Sequence, residues 1–525
     1  MVDVELKDGS LVVSRPPGFL ERELTYNKSS YDIRTRKMRF TQEKLYSMSD
    51  RDGVLMLVTM PGFAHRVLSA LRSAGVPHTF SDSRTPFPKP DIGRAMAFAR
   101  DYQVEIIYNM LAAQGGILEG PTGLGKTAIA ASMFNAFDHM QWCLRNTPLC
   151  LFACPAKDIN RKNADELRRF LPDRDVGCVM SGVSKWSDDI MCITLDSLHL
   201  VDPSEVGMLV VDEMHTLASD TRAEALSKFM KAMRFGVSAT PEGRSDNKDI
   251  VAEGLLGPVV VRKTYQDMVK AGALVPIEVC WLPLPVPSIG FDRYSRYKLR
   301  EKKVLYALEE NEFLSREIAD ILRSSKTGTQ VLCMTQHINQ ISNIHKLCDG
   351  DVRYMHADTS FKRTARNGES YTLEYPTVGP VSAKERKQAY EDFKSGAIMK
   401  MVASGAWSTG VDFPMLDVVI NAYGASSSIL TKQVAGRASR KSKDKDVAYI
   451  VEFWPSWDRE EPGNEPGPNM RAAMARRKSY KELGFTQRWI DNFKDLPFVD
   501  AAEAAKTLTA NSPPRTSVQT APLPF

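Results

Sequence analysis

No Cys-x-x-Cys pair occurs among the eight cysteines of this 525-residue chain, at 143, 150, 154, 178, 192, 280, 333 and 348. Most lie in apolar runs such as LCLFACP and IMCITL, which suits buried reduced thiols and argues against zinc or disulfides. Apolar runs such as VLMLV (54–58) fall far short of a bilayer's thickness, and MVDVELKDGS lacks the basic-then-apolar pattern of a signal segment. The chain is therefore expected to be soluble and intracellular, cytoplasmic or in host cytoplasm if viral, with no membrane partner. Charge of one sign is also scarce: 69 Lys and Arg against 64 Asp and Glu leave a net charge of +5, with pI about 8.6. That balance permits a polyanionic partner without demanding one.

What is present is alternation. Residues 53–80 read as strand, helix, strand, with Phe63, Val67 and Leu71 on one helical face and Gly75 as the stop. The Pro- and Ser-rich SDSRTPFPKPD (81–91) makes a boundary. Between about 100 and 262, the apolar runs GGILEG, LCLFACP, VGCVMS, IMCITL, VGMLVVDE and RFGVSAT alternate with helical patterns. Fully apolar strands between helices indicate a parallel sheet covered on both faces. The same rhythm returns after 325, in TQVLCMT, VRYMHA, MKMVASG, LDVVINAY and VAYIVEF. The expected fold is α/β, with two doubly wound parallel-sheet domains in tandem, a small α+β N-terminal accessory domain and a short helical C-terminal extension. The expected boundaries are 1–88, 89–262, 263–455, a basic helical stretch 456–510 and a disordered tail 511–525.

GPTGLGKT, Gly120 to Thr127, fits G-x-x-x-x-G-K-[ST] after a strand-like GGIL and before a helical KTAIAASMF. Its members Gly120, Pro121, Thr122, Gly123, Leu124, Gly125, Lys126 and Thr127 are candidate nucleotide ligands. Backbone N–H groups and the helix N-terminus favour phosphate oxygens, Lys126 neutralises them and Thr127 can ligate magnesium. VVDEMH (210–215) puts two adjacent acids at a strand end, where uncompensated burial would be costly. Asp212 can bind the metal through water, and Glu213 can orient and deprotonate an attacking water. ATP and Mg2+ are thus the expected cofactors.

RDYQ (100–103), SATP (238–241), STGVD (408–412) and QVAGRASR (433–440) join these two motifs in order. Over about residues 95–455 the set resembles the superfamily 2 helicases and translocases, which implies that the two doubly wound domains are RecA-like. The R-x-Y-Q motif and the DEAH/DExH-type box look like XPB-like and phage UvsW-like DNA helicases, or restriction-enzyme motors, more than DEAD-box RNA helicases. The stretch LVTMPGFAHRVLSALRSAGVPHTFSDSR is similar to the N-terminal domain of UvsW-like proteins. By that resemblance Gln103 would contact adenine, and His215, Ser238 and Thr240 would couple nucleotide state to domain closure. Gly410 and Asp412 would sit at the interdomain cleft, and Gln433, Arg437 and Arg440 would reach the nucleotide from the second domain. Val434 departs from the arginine that many relatives carry there. Arginines on a different domain stabilise the transferring phosphoryl group only on closure, which turns chemistry into a motor stroke.

Strand ends should face the nucleic acid. Pro155 with Ala156, Thr194, Thr335, Gln336 and His356 are the candidate backbone contacts. FKRTARNGESYTLEYPTVGPV (361–381) exceeds what a strand-to-helix loop needs, and its Asn367-Gly368 pair favours a hairpin turn. It reads as a surface embellishment or a strand-splitting pin. Arg471, Arg476, Arg477, Lys478, Lys481 and Arg488, interleaved with Tyr480, Phe485 and Trp489, suit single-strand or junction binding or a solvated helix packed on the motor. The expected activity is ATP-dependent unwinding or remodelling of single-stranded, forked or branched DNA in repair, recombination or replication. An RNA helicase, a duplex translocase without strand separation and a nucleotide-switched binding protein are the alternatives.

Overall fold

A computed structural model describes residues 1–32, 37–137, 149–239, 249–284, 311–349, 352–358, 360–364, 370–404, 413–424, 436, 438–441, 445–460 and 465–509. Thr240, Gly410, Asp412, Gln433, Arg437, Cys143, the Asn367-Gly368 turn and the tail 511–525 lie outside the described residues. The chain divides into two compact units, Met1–Thr264 and Tyr265–Phe525.

The first unit opens with β1 (Val2–Lys7) and β2 (Ser10–Ser14), a hairpin in which Val2, Val4, Leu6, Leu11 and Val13 point to one buried face. Period-two alternation is what places them there, and it went unread in the sequence. A separate two-stranded ribbon follows, β3 (Thr25–Asp32) with β4 (Lys37–Lys44). Then come β5 (Tyr46–Arg51), β6 (Val54–Thr59), helix α1 (Ala64–Ser73) and β7 (His78–Asp82). The sheet runs β5-β6-β2-β1-β7, with only the β1–β7 pair parallel. Phe63, Val67 and Leu71 are fully buried, and Gly75 ends the helix with a φ of +64°, as the spacing predicts.

An eight-stranded sheet completes this unit: β8 (Gly115–Glu119), β9 (Leu149–Cys154), β10 (Val176–Met180), β11 (Val183–Lys185), β12 (Ile190–Thr194), β13 (Val206–Asp212), β14 (Met233–Ser238) and β15 (Val259–Arg262). Its order is β11-β10-β12-β9-β13-β14-β8-β15, parallel throughout except for β11. Strands β9, β10, β12 and β14 are buried along their whole length, as their unbroken apolar sequences lead one to expect.

The two sheets of this unit are joined by helix α4, numbered after α2 (Asp101–Ala113) and α3 (Lys126–Asn135), and spanning Asp249–Leu256. Met60 packs into the cores of both sheets, and Ile250 packs on the N-terminal core. Arg66 clamps Glu253 with two bonds, Nε at 3.1 Å and Nη2 at 2.5 Å. Gly62 lies so close that a Cβ there would stand 2.2 Å from the Glu253 carbonyl oxygen and 2.5 Å from that of Gly254.

The second unit holds a seven-stranded, wholly parallel sheet in the order β18-β21-β17-β22-β23-β16-β26. Its strands are β16 (Ile277–Pro283), β17 (Val331–Met334), β18 (Arg353–Met355), β21 (Lys400–Ala403), β22 (Val418–Asn421), β23 (Ala448–Trp454) and β26 (Thr486–Trp489). Two short ladders flank it: β19 (Lys362–Thr364) with β20 (Ser370–Thr372), and β24 (Arg459–Glu460) with β25 (Glu465–Pro466). The first brackets Asn367-Gly368, where the turn residues favour a hairpin.

The C-terminal stretch packs its aromatics on the second unit, one of the two readings of its sequence, and adds a strand that the sequence reading did not include. It contributes α5 (Pro468–Glu482) and also the edge strand β26, paired in parallel with β16. Tyr480 and Phe485 are buried, and Arg476, 5% exposed, bonds the buried Glu452 through Nε at 3.0 Å. Tyr480 OH and Asn421 Nδ2 donate to the other oxygen of Glu452 at 2.7 and 2.6 Å. Arg477 stacks over Trp454 and Trp489. Arg476, Tyr480 and Phe485 are thus part of the core of the second unit, while Arg471, Lys478, Lys481 and Arg488 are exposed. Seven cysteines are buried free thiols, and burial pushes those of Cys150, Cys280 and Cys348 up to about 12. Among the described residues no helix is long and apolar enough to cross a membrane.

The close approach at Gly62 makes a direct prediction. Gly62→Ala should destabilise the first unit by about 1–3 kcal/mol through overpacking against backbone, read as a lower urea midpoint at unchanged slope. An unchanged midpoint would show that the two sheets do not depend on this contact.

Candidate active site

The phosphate loop leaves β8 and re-enters α3 through two left-handed glycines, Gly123 at φ +94° and Gly125 at φ +83°. These angles would strain any side-chain-bearing residue. Gly120 N–H donates to the Ser238 carbonyl at 3.0 Å, and Leu124 folds back until a Cβ on Gly120 would be 2.3 Å from its Cδ2. Gly125 caps α3 with no side-chain hydrogen bond, which leaves the helix N-terminus to the loop's own ligand. Gln103 is buried beneath: its Nε2 donates to the Leu124 carbonyl at 3.0 Å and its Oε1 accepts from Arg100 N at 3.1 Å. One amide therefore ties the start of α2 to the loop.

Asp212 ends β13 and Glu213 turns out of it at φ +48°, a left-handed conformation that costs a non-glycine residue roughly 1–2 kcal/mol. Its N–H donates to Asp212 Oδ1 at 3.0 Å. The turn sends two successive carboxylates along different paths. Burial first, and then the Glu213 charge, raise the Asp212 carboxyl to about 6, against the opposing pull of Lys126. Thr127 Oγ1 donates to Oδ1 of the buried Asn163 at 3.3 Å. Asn163 had no signal in the sequence beyond lying on the helix Lys157–Phe170 after β9. A carboxylate short of counter-charge, a hydroxyl and an amide oxygen are hard donors that fit magnesium. Among the described residues no cluster of three or more His, Cys, Asp or Glu could hold a metal. Magnesium bound through one carboxylate and substrate phosphates needs no such cluster.

His215 links the acids to the next strand. Its Nδ1 lies 3.2 Å from Ser238 Oγ and 3.4 Å from Glu213 Oε2. The Ser238 carbonyl in turn holds Gly120, so a continuous path runs from acid to loop. Gly236 makes room for the turn: a Cβ there would be 3.2 Å from Met214 Sδ. The box reads Asp-Glu-Met-His, with Met214 buried in the sheet core where alanine stands in a DEAH box.

In the second unit, Arg440 bridges Leu274, and Val275 N–H donates to the Ser439 carbonyl at 2.8 Å. The expected backbone contacts divide. Thr194, Thr335 and His356 are buried, bonded respectively to Ser197 Oγ at 2.8 Å, the Ala403 carbonyl at 3.3 Å and the Gly379 carbonyl at 3.0 Å. All three side chains tie strand ends to neighbouring chain. Pro155 and Gln336 are half-buried and Ala156 exposed at strand ends.

Two family models match: "Type III restriction enzyme, res subunit" over residues 98–243 and "Helicase conserved C-terminal domain" over 310–442. The chain carries the two motor domains of a superfamily 2 helicase. It is an ATP-dependent helicase or translocase of that superfamily. It is 28% identical over 373 residues to "DNA 3'-5' translocase XPB2" of Sulfurisphaera tokodaii, covering 67% of this chain and 80% of that one. It is 22% identical over 406 residues to "DNA 3'-5' helicase XPB" of Kineococcus radiotolerans, covering 75% and 64%. Across the curated relatives it matches, the chain thus spans from less than half to four-fifths of their length. The DNA-bound restriction-modification enzyme LlaBIII shares the fold, with a TM-score of 0.50 over 78% of this chain and 32% of the other, at 14% identity.

Because the Asp212 carboxyl sits at about 6, protons should compete with magnesium below that pH. The magnesium concentration that half-saturates ATP binding should rise roughly tenfold between pH 7 and 5, and Asp212→Asn should flatten that dependence. A wild-type value independent of pH would place the metal elsewhere.

Proposed function

We propose that this superfamily 2 motor acts on DNA, coupling ATP hydrolysis to translocation, unwinding or branch remodelling. The observation that carries the reading is the continuous contact from Glu213 through His215 and Ser238 to Gly120. That path links Glu213, the proposed hydrolytic carboxylate, to the phosphate loop, which favours a motor over a static binding protein. The printed activities of the XPB-type relatives support DNA as the track.

In this reading the helix terminus, Lys126 and the loop N–H groups would hold the phosphates, and Thr127 and Asp212 would hold magnesium, which would neutralise charge on the phosphoryl group. Glu213 takes the proton from an attacking water. Gln103, fixed to the loop, would contact adenine. His215, Ser238 and Thr240 relay nucleotide state. Gly410, Asp412, Gln433, Arg437 and Arg440 complete the site from the second domain. The proposed divisions are 1–88, 89–262, 263–455, 456–510 and 511–525. Pro155 and Gln336 stay as candidate backbone contacts.

Arg437→Ala and Arg440→Ala should leave nucleotide and DNA binding near normal and reduce turnover by roughly 10³–10⁵, the effect typical of an arginine finger. Lys126→Ala should instead weaken nucleotide binding. Folded arginine variants that hydrolyse ATP at the wild-type rate would remove the interdomain site from this account.

A further inference from the structure

A lysine that no motif contains grips the arginine segment. Lys445 is 5% exposed, and its ammonium donates to two backbone carbonyls, those of Leu416 and of Ala438, the latter at 2.5 Å. Ala438 lies between Arg437 and Arg440, and Leu416 follows Asp412 by four residues. The same short segment is held from its other side by Val275 N–H on the Ser439 carbonyl, beside the Leu274–Arg440 bridge. One side chain therefore fastens Ala438, in the stretch expected to carry the arginines, to Leu416.

A buried ammonium is an expensive fastener. Desolvation pushes Lys445 down to about 8, while Asp417 pulls the other way. Asp417 directs a carboxylate oxygen to Gln330 N–H at 2.8 Å, and no ion pair links it to Lys445 among the described contacts. Lys445 thus forms its two bonds with neutral carbonyls. A carbon side chain of equal length would fill the same space without the desolvation cost, so bare packing does not explain a lysine here. What the ammonium adds is direction. It fixes the Ala438 carbonyl, and with it the backbone that leads to Arg440.

We infer that Lys445 is a positioning residue for ATP hydrolysis, locking the backbone at Ala438–Arg440 to the Phe413–Leu416 turn and so fixing the stance of Arg440. This rests on the proposed role of Arg440. Lys445 touches neither substrate nor metal and acts only through it.

Lys445→Met keeps the length of the side chain and removes its donors, and Lys445→Gln restores one donor. In the full-length protein, Lys445→Met should lower kcat at least tenfold at saturating DNA, with KM for ATP and fluorescent ADP affinity changed less than threefold. Lys445→Gln should recover part of kcat. Added to Arg440→Ala, Lys445→Met should produce little further loss, because the two act through the same group. The inference is overturned by a folded Lys445→Met with wild-type kcat, or by losses that multiply in the double variant. Failure of both Lys445 variants to fold would overturn it too, since it would assign the lysine to stability alone. If Arg440→Ala itself keeps full turnover, the proposed interdomain site fails first; if only the Lys445 result is negative, that site stands.

Discussion

The left-handed turn at Glu213 is the constraint on which the first unit's chemistry depends. A strand that continued straight would send Glu213 to the opposite side of the sheet from Asp212. By leaving β13 at φ +48°, the chain points the second carboxylate toward His215, which also touches Ser238. The conformational cost is held by packing: Met214 and Leu217 are buried in the sheet core, and Gly236 clears the space beneath. Strain stored at such a turn persists only where its surroundings over-determine it.

Around that turn, neither terminal segment is a loose appendage. Helix α4 carries Glu253 and Gly254 into contact with Arg66 and Gly62, so the N-terminal sheet and the parallel sheet share a buried boundary. In the second unit, β26 extends the sheet beside β16, and the Glu452–Arg476–Tyr480 network buries a charge pair with its hydrogen bonds satisfied. A buried pair of this kind fixes geometry more than it adds stability. It holds Asn421 at the end of β22, and Arg476 also bonds the Gly424 carbonyl, eight residues further along than the last clamp on Leu416.

Much of this was legible before any coordinates. Unbroken apolar runs such as LCLFAC can only be strands covered on both faces, and GPTGLGKT demands its loop and helix. What escaped was of two kinds. Val2, Val4 and Leu6 alternate over too few residues to stand out from a charged start, and β26 lies in a stretch whose basic residues read as a solvated surface. The second kind is burial of polar groups. Thr194, Thr335 and His356 occupy strand ends as expected, yet each finds an internal partner that no local pattern reveals. Lys445 escaped for the same reason, since its partners are main-chain carbonyls 29 and 7 residues away.

The central claim is that phosphate chemistry in this chain is harnessed to movement along DNA. It is tested most directly by measuring steady-state ATP hydrolysis at low salt, where phosphate contacts are strongest, alone and with single-stranded, duplex or forked DNA, or RNA. The account predicts a weak basal rate that rises with DNA and rises less with RNA. Equal rates with and without every nucleic acid would contradict it.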